Sequence, residues 1–126
     1  MPDVIIDKQI FYNPVDYALK KIGGTWKMPV LWRLKDRSLR YSELQNQIPH
    51  ISQKMLTQAL KQLETDGFLL KKVFAEVPPR TEYALTEKGK KAITVIQFLR
   101  EYGLELMTEA GIDYGELMKK ESQKEK

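Results

Sequence analysis

Apolar residues recur along this chain at two periods, and the change from one to the other lays out its elements. Val15, Ala18, Leu19 and Ile22 follow helical spacing. Asn13 stands ahead of them as a cap and Pro14 takes the first helical position, where its missing N–H costs nothing. Gly23 and Gly24 end that helix. Thr25 is placed to cap a second helix from Trp26 to about Leu34, with Val30, Leu31 and Leu34 as its apolar stripe and Pro29 near its first turn. Leu39, Arg40 and Tyr41 read as a short extended link. Ser42-Glu43-Leu44-Gln45 has the form of a capping box and predicts a short helix to about Gln47. Ile48-Pro49-His50-Ile51 reads as a turn. Ser52 caps a longer helix from Gln53 to about Thr65, closed by Asp66-Gly67.

Beyond Gly67 the period shortens to two. Phe68 to Phe74 has strand composition, Glu76-Val77-Pro78-Pro79 makes a tip, and Arg80 to Leu85 returns with Thr81, Tyr83 and Leu85 on one face. Thr86 then caps a long helix from Glu87 to about Met107. Gly111 breaks it, and Asp113 caps a last helix ending near Lys120. Residues 3–11 are amphipathic and fit a short arm or a helix. The expected fold is mainly α with a small β-hairpin wing (α+β), a winged helix-turn-helix that dimerises through its N- and C-terminal helices. Within one domain spanning 1–126, residues 1–12 form the N-terminal arm or helix and 13–86 the core, with the wing at 68–85. Residues 87–120 supply the dimerisation helices, and 121–126 a flexible tail.

Composition narrows the chemistry. The chain has 126 residues, 42% hydrophobic, with a formal net charge of +4. This is enough apolar matter for one core and a mildly basic balance that permits a nucleic-acid partner without demanding one. With no cysteine and one histidine, His50, it holds no disulfide, thiolate zinc site or histidine-rich metal site; no metal and no cofactor are expected. The beginning MPDVIIDKQIF lacks the pattern of a signal peptide, and no stretch reaches the ~20 apolar residues that span a bilayer. A soluble, cytoplasmic protein without a membrane partner is expected.

Two short helices joined by a tight turn and followed by a hairpin form a DNA-reading device. On the helix opening at Ser52, Leu56, Ala59, Leu60 and Leu63 take one side, and Gln53, Lys54, Thr57, Gln58 and Lys61 the other. Gln can pair with an adenine edge, Thr can meet a thymine methyl, and Lys can reach guanine or phosphate. No acid falls on this helix before Glu64. A solvated helix face has a similar composition, and the flanking elements are what favour DNA. At the wing, Pro79 stiffens the tip and Arg80 is a candidate for the minor groove or a phosphate. Arg40, just before the capping box, stands where a backbone phosphate would pass. His50 reads as a solvated turn residue.

Phe11, Tyr12, Tyr17, Trp26 and Trp32 suit core, dimer packing or the lining of a ligand cavity. The long helix carries Val95, Ile96, Phe98, Leu99, Tyr102, Leu104, Leu106 and Met107, more apolar surface than one small core needs. The excess predicts a subunit interface containing Phe11, Tyr12, Leu99, Tyr102 and Leu106. Two-fold symmetry suits palindromic half-sites about 34–36 Å apart, or a multiple of that. A winged-helix protein-interaction module without sequence-specific DNA binding is the alternative. An enzyme is not expected, because no nucleophile–base pair, paired metal ligands or glycine-rich phosphate loop stands out.

The segments IGGTWK, ISQKMLTQAL, LETDGF and VPPRTEYALTEKG, in this order, resemble the HxlR-type transcriptional regulators, winged-helix relatives of the MarR group. The resemblance covers roughly residues 12–107. It implies a homodimer that binds double-stranded DNA, with the helix from Ser52 reading bases through Ser52, Gln53, Lys54, Thr57 and Gln58. It places Arg40 and Ser42 at backbone-contacting positions and the wing contact near Pro79 and Arg80. Many members carry a cysteine just before the proline of the first core helix; here that place is Asn13, which excludes cysteine-based sensing. A small-molecule effector of unknown identity stays open, as do the operator and the sign of regulation.

Overall fold

The computed structural model describes residues 4–124. Two compact units divide the chain, one ending at Ile93 and one beginning at Thr94.

The first unit opens with a hairpin, β1 (Val4–Ile6) and β2 (Gln9–Phe11), paired antiparallel with Ile5 opposite Ile10. This replaces the arm or helix expected over 3–11; its first residue, 3, lies outside the described residues. Asp7 and Lys8 both adopt positive φ, 50° and 66°, the backbone of a two-residue turn whose twist matches that of paired strands. Helix α1 (Pro14–Ile22) starts as its residues dictate: the Asn13 side chain accepts the Asp16 N–H at 2.9 Å. It ends where the Gly23 N–H reaches the Leu19 carbonyl at 2.7 Å. Helix α2 (Lys27–Arg33) begins one residue later than expected. Trp26, not Thr25, takes the cap position, with no side-chain cap bond.

Strand β3 (Leu39–Arg40) runs directly into α3 (Tyr41–Gln47). The capping group also differs from the expected one. The Glu43 carboxylate accepts the Arg40 backbone N–H at 3.0 Å, and Arg37 Nη2 donates to the same carboxylate at 3.0 Å, so the helix is closed around Arg40 rather than Ser42. The reason is tertiary: Leu39 and Arg40 pair with Tyr83 and Glu82, which carries extended backbone up to Arg40. Helix α4 (Gln53–Thr65) is capped by Ser52, whose hydroxyl accepts the Met55 N–H at 3.1 Å. Strands β4 (Leu69–Phe74) and β5 (Arg80–Leu85) form the wing, and the sheet order β3-β5-β4 leaves β4 at one edge.

Leu56, Ala59, Leu60 and Leu63 of α4 are all buried, together with Val30, Leu31, Leu39, Leu44 and Leu69. At about 1.5–3 kcal/mol for each large apolar side chain removed from water, this layer fixes which side of α4 faces outward. The far end of α4 is tied down by the start of α5 (Glu87–Glu109). The Thr86 hydroxyl donates to the Gly67 carbonyl at 2.6 Å and accepts the Gly89 N–H at 3.1 Å. A Cβ at Gly89 would stand 2.1 Å from the Phe68 carbonyl oxygen. Only glycine lets the two backbones approach this closely.

In the second unit, α5 continues to Glu109 and α6 spans Tyr114–Lys124. Gly111 makes the turn at φ 75°. Asp113 caps α6 by accepting the Glu116 N–H at 3.1 Å, and the Arg100 guanidinium stands 6.0 Å from the Tyr114 ring. Helix α6 runs past the expected end at Lys120, so its last turn takes up residues 121–124 of the expected tail; residues 125–126 lie outside the described residues.

Candidate nucleic-acid interface

Helix α4 presents its surface through a turn that has little freedom. Ile48 and Ile51 are buried on either side of Pro49 and His50. His50 sits at φ 66°, in the left-handed region that a reversal this tight requires. Ser52 stops the backbone from fraying and sets where the helix begins. Outward from the leucine layer, Ser52, Gln53, Lys54, Thr57, Gln58 and Lys61 are all exposed on one helix. The first turn holds no acid. The result is an amide, hydroxyl and ammonium surface that begins at a helix N-terminus and carries no charge that would repel phosphate until Glu64.

The remaining predicted DNA-binding residues gather beside this helix. Arg40, Tyr41 and Ser42 at the start of α3 face the wing residues Glu76 to Thr81 across an open cleft of about 480 Å³. Arg40, Ser42, Pro79 and Arg80 therefore line one depression. Arg40 and Ser42 are exposed, as is Pro79. Arg80 is not simply solvated. Its guanidinium lies 4.2 Å from the centre of the Phe74 ring, and Nη1 pairs with Glu76 Oε1 at 3.3 Å. Its Nε is buried without a hydrogen-bond partner. The wing thus holds this cation between the Phe74 ring and the Glu76 carboxylate.

Sequence reading missed Tyr41. Its hydroxyl donates to the Gln53 carbonyl at 3.0 Å and lies 2.9 Å from Thr57 Oγ1, joining the cleft to the exposed side of α4. No local signal marks it, because its partners stand 12 and 16 residues away.

A second depression, of about 370 Å³, lies between Gly23–Lys27 and the Met55, Gln58 and Gln62 side of α4. Lys27 donates to the Lys20 carbonyl there. Burial lowers its pKa, opposed by the Asp66 charge.

The expected interface residues separate. Phe11 is 3% exposed and stacks edge-on against Tyr17 with ring centres 4.8 Å apart; it is buried within its own chain and offers no surface to another. Tyr12 is 61% exposed, and in the second unit Leu99, Tyr102 and Leu106 are exposed. Phe98, at 70%, is the most exposed aromatic of that unit among the described residues. Among the described residues no helix is long and apolar enough to cross a membrane.

Known proteins resemble this chain in sequence and in fold. A family model described as HxlR-like helix-turn-helix matches residues 21–110. An HTH-type transcriptional regulator of Methanothermobacter thermautotrophicus is 51% identical over 89 residues, 71% of this chain and 68% of that protein. A solved MarR-family transcriptional regulator from Porphyromonas gingivalis superimposes with a TM-score of 0.69 at 37% identity, over 81% of this chain and 97% of that one. The redox regulator HypR in its oxidized form gives a TM-score of 0.70 at 36% identity, over 74% and 96%.

Proposed function

Because this chain belongs to the HxlR-like helix-turn-helix family of transcriptional regulators, we propose that it acts as a homodimer on a palindromic duplex operator, read by α4 and gripped by the wing. The observation that carries this reading is the Ser52-capped helix, whose exposed polar side holds no acid before Glu64 and lies above four buried apolar residues. In this reading Arg40, Lys54, Lys61 and Arg80 meet phosphates and supply salt-dependent affinity, while Gln53, Thr57 and Gln58 choose bases. Ser42 and Pro79 sit where the backbone enters the cleft. Each half-site is about one helical turn from the next, and the protein works in the cytoplasm, where its operator is.

The second copy docks through exposed apolar side chains of the second unit, Leu99, Tyr102 and Leu106 with Phe98 beside them; Tyr12, just after the N-terminal hairpin, is the exposed candidate of the first unit. Phe11, expected there too, packs against Tyr17 of its own chain instead. With no cysteine in its 126 residues, the chain takes no thiol-based input, and Asn13 serves as a helix cap.

Gln53→Ala should weaken binding to the operator by about 1–3 kcal/mol and leave a scrambled duplex nearly unaffected. Fluorescence anisotropy on both duplexes measures it; equal losses on the two would refute base reading by α4. Tyr102→Asp should give a folded monomer by sedimentation and lose operator affinity, whereas a variant that remained dimeric would move the interface elsewhere. A folded dimer that bound no duplex at any ionic strength would favour the interaction-module alternative.

A further inference from the structure

The Tyr41–Thr57 contact constrains what α4 can offer a base. The Tyr41 hydroxyl has one proton. It lies 3.0 Å from the Gln53 carbonyl oxygen, which can only accept, so that proton belongs to the carbonyl. The 2.9 Å contact with Thr57 Oγ1 must then be made with the threonine proton, donated to the tyrosine oxygen. Thr57 is exposed on the polar side of α4, yet its only side-chain donor is already used. What remains for a ligand is the γ-methyl and the oxygen's two acceptor lone pairs, with no proton to give.

We infer that Tyr41 is a positioning residue that makes Thr57 read through its methyl group rather than its hydroxyl proton, selecting a thymine at one operator position. A held hydroxyl cannot donate to guanine N7 or O6, whereas a fixed methyl packs against the thymine C5-methyl. The inference rests on the proposal that α4 reads bases.

The test is a base-by-base preference profile, measured by competition of single-position operator variants against the wild-type protein and three variants. Wild type should prefer thymine at one position, and Thr57→Val, which keeps the methyl, should retain that preference. Thr57→Ser, which keeps the hydroxyl, should lose it by roughly five-fold, the discrimination of one contact of about 1 kcal/mol. Tyr41→Phe should flatten the profile at that position alone and leave the salt dependence unchanged, a pattern that a merely structural role would not produce. In the free protein, NMR couplings should show one Thr57 χ1 rotamer in wild type and averaging in Tyr41→Phe. The inference is overturned if serine keeps the preference while valine loses it, or if Tyr41→Phe has the wild-type profile. Absence of duplex binding by the wild type would overturn the functional reading and this inference with it, while the rotamer measurement would still report on the hydrogen bond itself.

Discussion

Replacing Glu76 by Gln should tighten binding to any duplex. In the free protein, Glu76 holds Arg80 at 3.3 Å, with the two side chains 51% and 28% exposed. At that separation the attraction in a water-like dielectric is ~1.3 kcal/mol. Ionic screening and partial exposure bring such surface pairs to about 0–1 kcal/mol. A phosphate entering the cleft of Arg40, Ser42, Pro79 and Arg80 must compete with that carboxylate and also approach its negative charge. Both effects vanish in Glu76→Gln, while the Phe74 ring, 4.2 Å beneath the guanidinium, still holds Arg80 in place. The expected gain is about two- to five-fold in affinity per wing near 0.15 M salt, equal on operator and scrambled DNA because phosphates carry no sequence. Anisotropy titrations across a salt series measure it. In an Arg80→Ala background most of the gain should disappear, and the slope of log affinity against log salt should flatten by about 0.9 for each phosphate no longer neutralised. If Glu76→Gln binds no more tightly, or its gain is undiminished without Arg80, the wing cation is not the group that Glu76 restrains.

Two further outcomes follow from the framework around the interface. Gly89→Ala should destabilise the fold by about 1–3 kcal/mol, read as a lower urea midpoint, because its Cβ meets the Phe68 carbonyl oxygen at 2.1 Å; the ~1 kcal/mol gained in helix propensity offsets only part of this, and a net gain in stability would refute the close approach. Below about pH 5 stability should fall, because the Tyr12 N–H holds the Asp16 pKa below its usual value, with Lys20 assisting, and the Arg40 N–H and then Arg37 do the same for Glu43. The folded state binds these protons less readily than the unfolded chain, so the contribution is present above the ordinary carboxylate range and lost as pH falls through the depressed values. Asp16→Asn with Glu43→Gln should flatten this acid limb in urea titrations.

How much could be read from residues alone depended on how far each interaction reaches. Asn13, Ser52, Thr86 and Asp113 act on N–H groups three residues away, so their caps are legible in the sequence. The leucine side of α4 is equally plain, since burial follows a helical period. Thr25 and Ser42 have the right chemistry but lost their places to neighbours. At Ser42 the cause is pairing of Leu39–Arg40 with β5, more than forty residues on. The Asp7-Lys8 turn lacks the glycine or asparagine that normally marks such a hairpin. Phe11 has the same chemistry in a core as at an interface, and only its packing against Tyr17 decides between them. The link from Tyr41 to Thr57 and the restraint of Arg80 are products of folding, with no signature along the chain.

The margin of the wing has a consequence for how the protein survives at high concentration. With β5 between β3 and β4, one side of β4 has no strand beside it among the described residues, and unpaired strand edges of that kind recruit other chains. Lys71 and Lys72 occupy the middle of the strand and are exposed. Two like-charged strands laid side by side would bring four ammonium groups together, so the wing repels its own kind. Basicity along this margin thus guards against fibre formation.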